Sequence, residues 1–323
     1  MPTQPPAPQV RIGARGSKLS LAQAGMMQRK IAAALGVDPD NAAEVEAVAP
    51  LIVITTTGDR VQDRRLLEIG GKGLFTKEIE EAMLEGRIDC AIHSMKDVPA
   101  ERPAGLCIGA VPEREDVRDA FLSRGPERPE DLTEGAVLGT ASLRRQAQML
   151  HRRPDLKVTM LRGNVDTRLA KLEAGEADAI LLAYAGLRRL GLGHLPQSLI
   201  DPVECPPAPG QGALAIETRE DLRDAPWIQA LRHAPTEIAV AAERGALMAL
   251  EGSCKTAIGA HARFEDGALK LIVEALSPDG VHRFRHAGEA ELSQLADPLA
   301  SALDLGRSLG LAVKAEGGDR IAI

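Results

Sequence analysis

The sequence predicts an α/β protein of two lobes flanking a cleft, each a largely parallel sheet with packed helices. A small C-terminal α+β domain with an antiparallel sheet follows. Three observations predict this. Short apolar runs alternate with amphipathic stretches from Val10 to about Leu190. A Pro- and Gly-rich section, 195–212, then breaks the alternation as a crossover or hinge would. Beyond Pro235 an Ala-rich helical stretch gives way to runs that alternate with period two. The expected divisions are 10–114 plus 213–232 for the first lobe, 115–212 for the second, and 235–323 for the third.

The elements follow in order. Val10 to Ala14 reads as a short strand, and 20–35, rich in Ala and Met, as an amphipathic helix. Leu51 to Thr56 has the β-branched density of a buried strand. Residues 76–85 read as a helix, and 89–93 and 106–111 as apolar strands. A second series begins near Asp119. Its strands are expected near 136–139, 156–161 and 178–183, and its helices at 142–152, 164–174 and 184–190. Residues 213–218 read as a strand returning to the first sheet. In the last domain a helix (236–250) precedes alternating strands near 257–264 and 268–276, a third near 282–287, and a helix near 292–309.

Composition narrows the function. The 323 residues carry a formal net charge of −7 and only 2% aromatic residues. An acidic chain opposes a phosphate-backbone footprint, and scarce aromatics oppose base stacking, so no nucleic-acid partner is expected. No apolar run is long enough to span a membrane. Met1 to Gln9 is Pro-rich without a basic or apolar signal region, so a cytoplasmic location is expected. The four cysteines, Cys90, Cys107, Cys205 and Cys254, show neither Cys-x-x-Cys pairing nor zinc spacing. Free thiols and no metal site are expected.

Against that acidic background, arginines gather where strands give way to helices: Arg15, Arg144 and Arg145, and Arg162 with Arg168 one helical turn on. Such positions lie beside free backbone N–H groups and the positive end of a helix dipole, where anions bind. Ser142 reads as an N-cap with two arginines in the first turn, a charge the dipole opposes unless an anion is faced. Gly163 allows close backbone approach. Together they point to a small molecule rich in carboxylates or phosphates.

Three further segments carry chemistry. His93-Ser94-Met95-Lys96-Asp97-Val98-Pro99 follows an apolar strand, which puts Lys96 and Asp97 at its mouth. Asp97 there could move protons or stabilise a developing cation, or could cap a surface turn; His93 reads as a satisfied structural histidine. Gly70-Gly71-Lys72-Gly73 fails the Walker pattern, which needs Ser or Thr after Gly-Lys. The Gly58–Gly73 stretch reads as a lid carrying Lys72 or as a flexible loop. Cys254 has small and polar flanks with Lys255 beside it, unlike the apolar settings of Cys90 and Cys107. It is a candidate nucleophile or attachment thiol.

These strings together resemble the porphobilinogen deaminase family, the hydroxymethylbilane synthases. They are Gly-Gly-Lys-Gly-Leu-Phe (70–75), His-Ser-Met-Lys-Asp-Val-Pro (93–99) and Glu-Arg-Glu-Asp-Val-Arg-Asp-Ala-Phe (113–121). Ser-Leu-Arg-Arg-Gln (142–146), Leu-Arg-Gly-Asn-Val-Asp-Thr-Arg-Leu (161–169), Gly-Gln-Gly-Ala (210–213) and Gly-Ser-Cys (252–254) complete the set. The resemblance implies lobes like those of periplasmic binding proteins. It implies a transferase that joins four porphobilinogens head to tail with loss of ammonia, then releases hydroxymethylbilane for porphyrin and haem biosynthesis.

It also implies a dipyrromethane cofactor on Cys254 through a thioether, and Asp97 as the catalytic carboxylate. Lys96, Ser142, Arg144, Arg145, Arg162 and Arg168 match cofactor-binding positions. Arg15, Ser17, Lys72, Arg189 and Gln211 match substrate-binding ones. A monomer is implied. Two positions depart from the family: Glu68 stands where a lysine is common, and Lys255-Thr256-Ala257 replaces Gln-Val-Pro. A two-lobed binding protein for a small anionic solute is the alternative; it predicts no covalent adduct.

Overall fold

The structure, a computed structural model, describes residues 9–60, 76–251, 256–291 and 296–321. Its contacts divide the chain into two compact units. The first holds described residues 9–60, 76–114 and 213–237; the second holds 115–212 and the described residues from 238 onward.

In the first unit, β1 (Ile12–Ala14) leads to α1 (Lys18–Ala34), α2 (Ala42–Val48), β2 (Leu51–Val53) and the short α3 (Thr57–Arg60). Then come α4 (Lys77–Leu84), β3 (Cys90–Ser94), a 3₁₀ turn (Met95–Asp97) and β4 (Leu106–Ala110). The chain returns as β10 (Leu214–Arg219), which is antiparallel to both β3 and β4. The sheet order is β2-β1-β3-β10-β4, with β1 parallel to β2 and β3. Successive residues of β3 face opposite ways. Cys90 and Ile92 pack under α1 with Ala24, Met27 and Ile31. Ala91 packs under α4 with Ile79, Ala82 and Met83. Burial on both faces explains why these strands read as continuous apolar runs.

The second unit repeats the plan. Its elements are β5 (Asp119–Ser123), β6 (Val137–Gly139), α5 (Leu143–Arg152), β7 (Lys157–Thr159) and α6 (Val165–Glu173). β8 (Ala179–Ala183), α7 (Tyr184–Arg189) and β9 (Ser198–Leu199) follow. The sheet order is β7-β6-β8-β5-β9, with β6 parallel to β7 and β8 and β5 antiparallel to β8. Thus each α/β sheet contains one reversed strand, β10 in the first and β5 in the second. Phe121 and Leu181 face Met149 of α5, whereas Ala120, Leu122, Ile180 and Leu182 face Leu172 and Leu187 on the other side.

The helices α8 (Pro226–Gln229) and α9 (Ala234–Ala249) precede an antiparallel meander of β11 (Ala257–Glu265), β12 (Ala268–Leu276) and β13 (Arg283–Ala290). One face of that sheet packs on α9 and on α10 (Pro298–Gly317) through Ala242, Ala246, Ala302 and Val313. The other meets α5, where Ala147 touches Ala257 and Leu276.

Some elements differ from the sequence expectation. The last helix begins at Pro298 rather than near 292, because Asp297 caps it by accepting the Ala300 N–H and Pro298 presets its first turn. The strands β5 and β9 and the short helix α2 were not expected. β5 follows directly on the charged string 113–119, so its five residues show no separate apolar period.

Candidate functional site

The three parallel strands β1, β2 and β3 of the first unit end at one edge of their sheet. Arg15 follows β1 there; its backbone N–H donates to the Ser20 hydroxyl at 3.1 Å. Ser17 caps α1, its hydroxyl accepting the Ser20 N–H at 3.2 Å. From the same helix Gln23 donates to the Ser94 hydroxyl at 3.1 Å, tying the start of α1 to the end of β3.

Directly beyond Ser94 the 3₁₀ turn carries Lys96 and Asp97. Met95 and Val98 are its buried anchors, at 1% and 4% exposure, and the Met95 N–H donates to the Ala213 carbonyl at 3.0 Å. Lys96 and Asp97 are thereby held outward and exposed between two apolar pins. Among the described residues the Asp97 carboxylate takes no hydrogen bond or ion pair, so its oxygens remain available to a ligand. His93, one residue before the strand end, is buried and bonded to Glu217 at 3.0 Å, a structural partnership inside the sheet.

In the second unit the parallel strands β6, β7 and β8 also end together, and the reversed β5 begins at that edge with Asp119 opposite Ala183. Ser142 caps α5 by accepting the Arg145 N–H at 3.4 Å, its own N–H held by the Thr140 hydroxyl at 3.1 Å. Asn164 caps α6, accepting the Thr167 N–H at 2.9 Å. Between these caps lie Arg162 and Gly163. The latter has φ +127°, a backbone state that glycine adopts readily. Its carbonyl accepts Nε of Arg168 at 2.9 Å.

The paired arginines, expected to face an anion, are buried. Arg144 and Arg145 are 4% and 5% exposed and share one buried carboxylate, Asp119. Arg145 is fully committed: Nε and Nη2 donate to Asp119 Oδ1 at 3.2 and 2.7 Å, and Nη1 to the Leu181 carbonyl at 2.9 Å. Arg144 uses Nη1 alone, toward Asp119, Gln148 and the Pro206 carbonyl. Its Nε is buried and has no partner among the described residues.

Gln211, expected at the substrate, is fully buried, and its amide donates to Asp119 Oδ1 at 2.9 Å and to the Val117 carbonyl at 2.8 Å, bracing that carboxylate. The next residue, Gly212, has φ +87°, and a Cβ there would overlap the Glu115 carbonyl. The Gly212 carbonyl accepts Arg189 Nη2 at 2.7 Å. Burial pushes Arg189 below the usual guanidinium value, against the opposing pull of Glu115. Sequence reasoning missed Asp119 and Gln148. The signal for Asp119 was an Asp opening an apolar run, Ala120 to Leu122.

Burial alone would raise the Asp119 pKa, but the charges of Arg144 and Arg145 and the hydrogen bonds from Arg145 and Gln211 hold it well below the carboxylate range. The unfolded chain therefore binds the extra proton. Stability contributed by Asp119 is present above its unfolded value of about 4 and is lost as pH falls toward the folded one. Asp119→Asn is expected to cost about 3 kcal/mol at pH 7. In urea unfolding its deficit should shrink as pH falls below about 4; a deficit constant from neutral to acid pH would contradict this.

Three members of the arginine set, Arg144 (Nε), Arg162 (Nη1) and Arg189 (Nε), keep a buried nitrogen without a partner among the described residues. Buried donors are normally satisfied, so each lacks an acceptor that a carboxylate would supply. A group bearing several carboxylates fits this lobe. Cys254, Lys72 and all but the first residues of the expected lid lie outside the described residues. Among the described residues no cluster of His, Cys, Asp or Glu could hold a metal, and no helix is long and apolar enough to cross a membrane.

Comparison with known proteins gives a consistent answer. The family model for the dipyromethane cofactor binding domain of porphobilinogen deaminase matches residues 10–226, and that for the C-terminal domain of porphobilinogen deaminase matches 237–315. A porphobilinogen deaminase of Phenylobacterium zucineum (strain HLK1) is 80% identical over 323 residues, covering 100% of both chains. One from Caulobacter sp. (strain K31) is 68% identical over 314 residues, covering 97% of this chain and 98% of that one. Among solved structures, the methionine binding protein MetQ is 15% identical with a TM-score of 0.43, covering 69% of this chain and 89% of that one.

Proposed function

The chain belongs to the porphobilinogen deaminase family, and from that premise we propose which of its residues carry the reaction. It is a transferase of tetrapyrrole biosynthesis, condensing porphobilinogen head to tail with loss of ammonia to give hydroxymethylbilane. The family's dipyrromethane cofactor would supply the pyrrole carbon to which the first ring is joined. In our reading Cys254 holds it by a thioether.

Asp97 is the proton-transfer residue. Losing ammonia needs a proton at the departing amine, and joining the rings releases one from the attacked pyrrole carbon. A carboxylate accepts the second and supplies the first. While ionised it stabilises positive charge developing at pyrrole nitrogen. Its exposure, its two buried anchors and its lack of partners among the described residues support this role. At the same sheet edge Lys96 holds cofactor carboxylates and Arg15 and Ser17 hold substrate carboxylates, with Lys72 beside them in function.

On the second unit Arg144, Arg162, Arg168 and Arg189 hold acetate and propionate groups, and Ser142 fixes the helix start that aims Arg144. Arg145 and Gln211 support them through Asp119. The single observation that carries this reading is the set of three buried guanidinium nitrogens without partners among the described residues. The same reading takes the chain as a monomer in the cytoplasm, with neither nucleic-acid nor membrane partners, in keeping with its acidic charge.

The test is a trade of stability against function. Arg162→Gln removes a partly satisfied cation, so the chain free of cofactor should melt at the same temperature or higher. Turnover of porphobilinogen should fall roughly ten- to a hundredfold. Unchanged turnover in that variant would remove Arg162 from the site.

A further inference from the structure

At the mouth of the second lobe, where carboxylates are to be held, the protein places a carboxylate of its own. Asp119 opens β5, is 5% exposed, and divides its two oxygens between two neighbouring cations. Oδ2 lies 2.8 Å from Arg144 Nη1, and Oδ1 lies 2.7 Å from Arg145 Nη2. Gln211 steadies Oδ1 from a third direction at 2.9 Å.

Arg144 and Arg145 are consecutive residues in the first turn of α5. Without Asp119 they would repel each other and face the unfavourable end of the helix dipole. With it the trio carries one net positive charge. The charge is unevenly available, because Arg145 has spent Nε, Nη1 and Nη2 on Asp119 and Leu181. Arg144 has spent only Nη1, which also reaches Gln148 and Pro206. Nε and Nη2 form one edge of a guanidinium, the edge that grips a carboxylate in two-pronged fashion. That edge of Arg144 makes no hydrogen bond to the described residues, and its Nε is buried.

We propose that Asp119 is a positioning residue: it fixes Arg144 by its far nitrogen, so that the Nε edge points at one carboxylate of the bound polypyrrole. Arg145 is the counter-ion that keeps Asp119 ionised and in place. This rests on the reading of Arg144 as a carboxylate holder. A purely structural Asp119 would leave the purchase on ligand unchanged once the chain is folded.

The experiment uses full-length chain prepared without cofactor and then incubated with porphobilinogen. The covalently loaded fraction is followed by intact mass, and melting temperature is recorded alongside. Asp119→Asn, in its folded fraction, should load roughly tenfold more slowly or less completely than the wild type. Asp119→Glu restores the charge but displaces it by a methylene. It should recover melting temperature more fully than loading. Gln211→Leu keeps every charge and guards against misfolding of the first variant; it should load a few-fold more slowly.

Full-rate loading of Asp119→Asn or of Gln211→Leu, with only the melting temperature lowered, would overturn the proposal. Equal recovery of both properties in Asp119→Glu would do the same. Failure of the wild-type chain to load at all would instead strike the reading of the site itself.

Discussion

Asp97→Asn is expected to fold normally, to carry its cofactor, and to lose roughly a hundred- to ten-thousandfold of its turnover. The reasoning begins with position. Asp97 sits exposed in the 3₁₀ turn at the end of β3, and the buried pins are Met95 and Val98. Replacing an exposed side chain of the same shape should move stability by no more than about 0.5 kcal/mol. The amide cannot accept the proton released when rings join, nor offer one to a departing amine. Cofactor assembly uses the same chemistry but only once per chain, so a slow variant still completes it. The variant should therefore show a full adduct with little product. Turnover within a few-fold of the wild type would exclude Asp97 as the proton-transfer residue.

The second large effect is expected at Cys254. Cys254→Ser exchanges a thiol for a hydroxyl that stays protonated at neutral pH. No thioether can form, so intact mass should equal the sequence mass and activity should fall to background. A ligand that binds only the folded chain stabilises it, so the variant should also melt below the loaded wild type. Adding porphobilinogen should restore neither property. A Cys254→Ser chain with wild-type turnover would show that the attachment point lies elsewhere.

The α/β plan was legible because its central strands, such as β3 and β8, are buried on both faces. Cys90, Ala91 and Ile92 are apolar in succession, and each side of β3 meets a helix. The antiparallel meander was legible for the opposite reason, a plain period-two alternation such as Leu269, Leu271 and Val273 toward the helices. β5 was not. A five-residue strand adjoining a run of charges offers too short a window for any period, and its first residue is a charge turned inward.

The site was legible by residue type but not by role. Strand ends flagged Arg15, Asp97, Arg144, Arg145 and Arg162, and all of them lie at such ends. Spacing could not show that Arg145 and Gln211 face Asp119, because that contact joins residues 26 and 92 positions apart in the chain. Only the folded sheet brings β5 beside the mouth of β8. Among the described residues of this lobe, buried charge is one internal carboxylate shared by two cations, and in our reading the surplus positive charge serves the ligand.

In our reading one covalently held chain, anchored on Cys254, grows ring by ring through the action of Asp97. Time-resolved intact mass of the wild-type protein mixed with a limiting amount of porphobilinogen tests it most directly. The starting species should be heavier than the sequence by a dipyrromethane. Successive species should then rise in steps of one pyrrole unit, collapsing back to the starting mass as product leaves. A chain that stays at its bare sequence mass while consuming porphobilinogen would contradict the account.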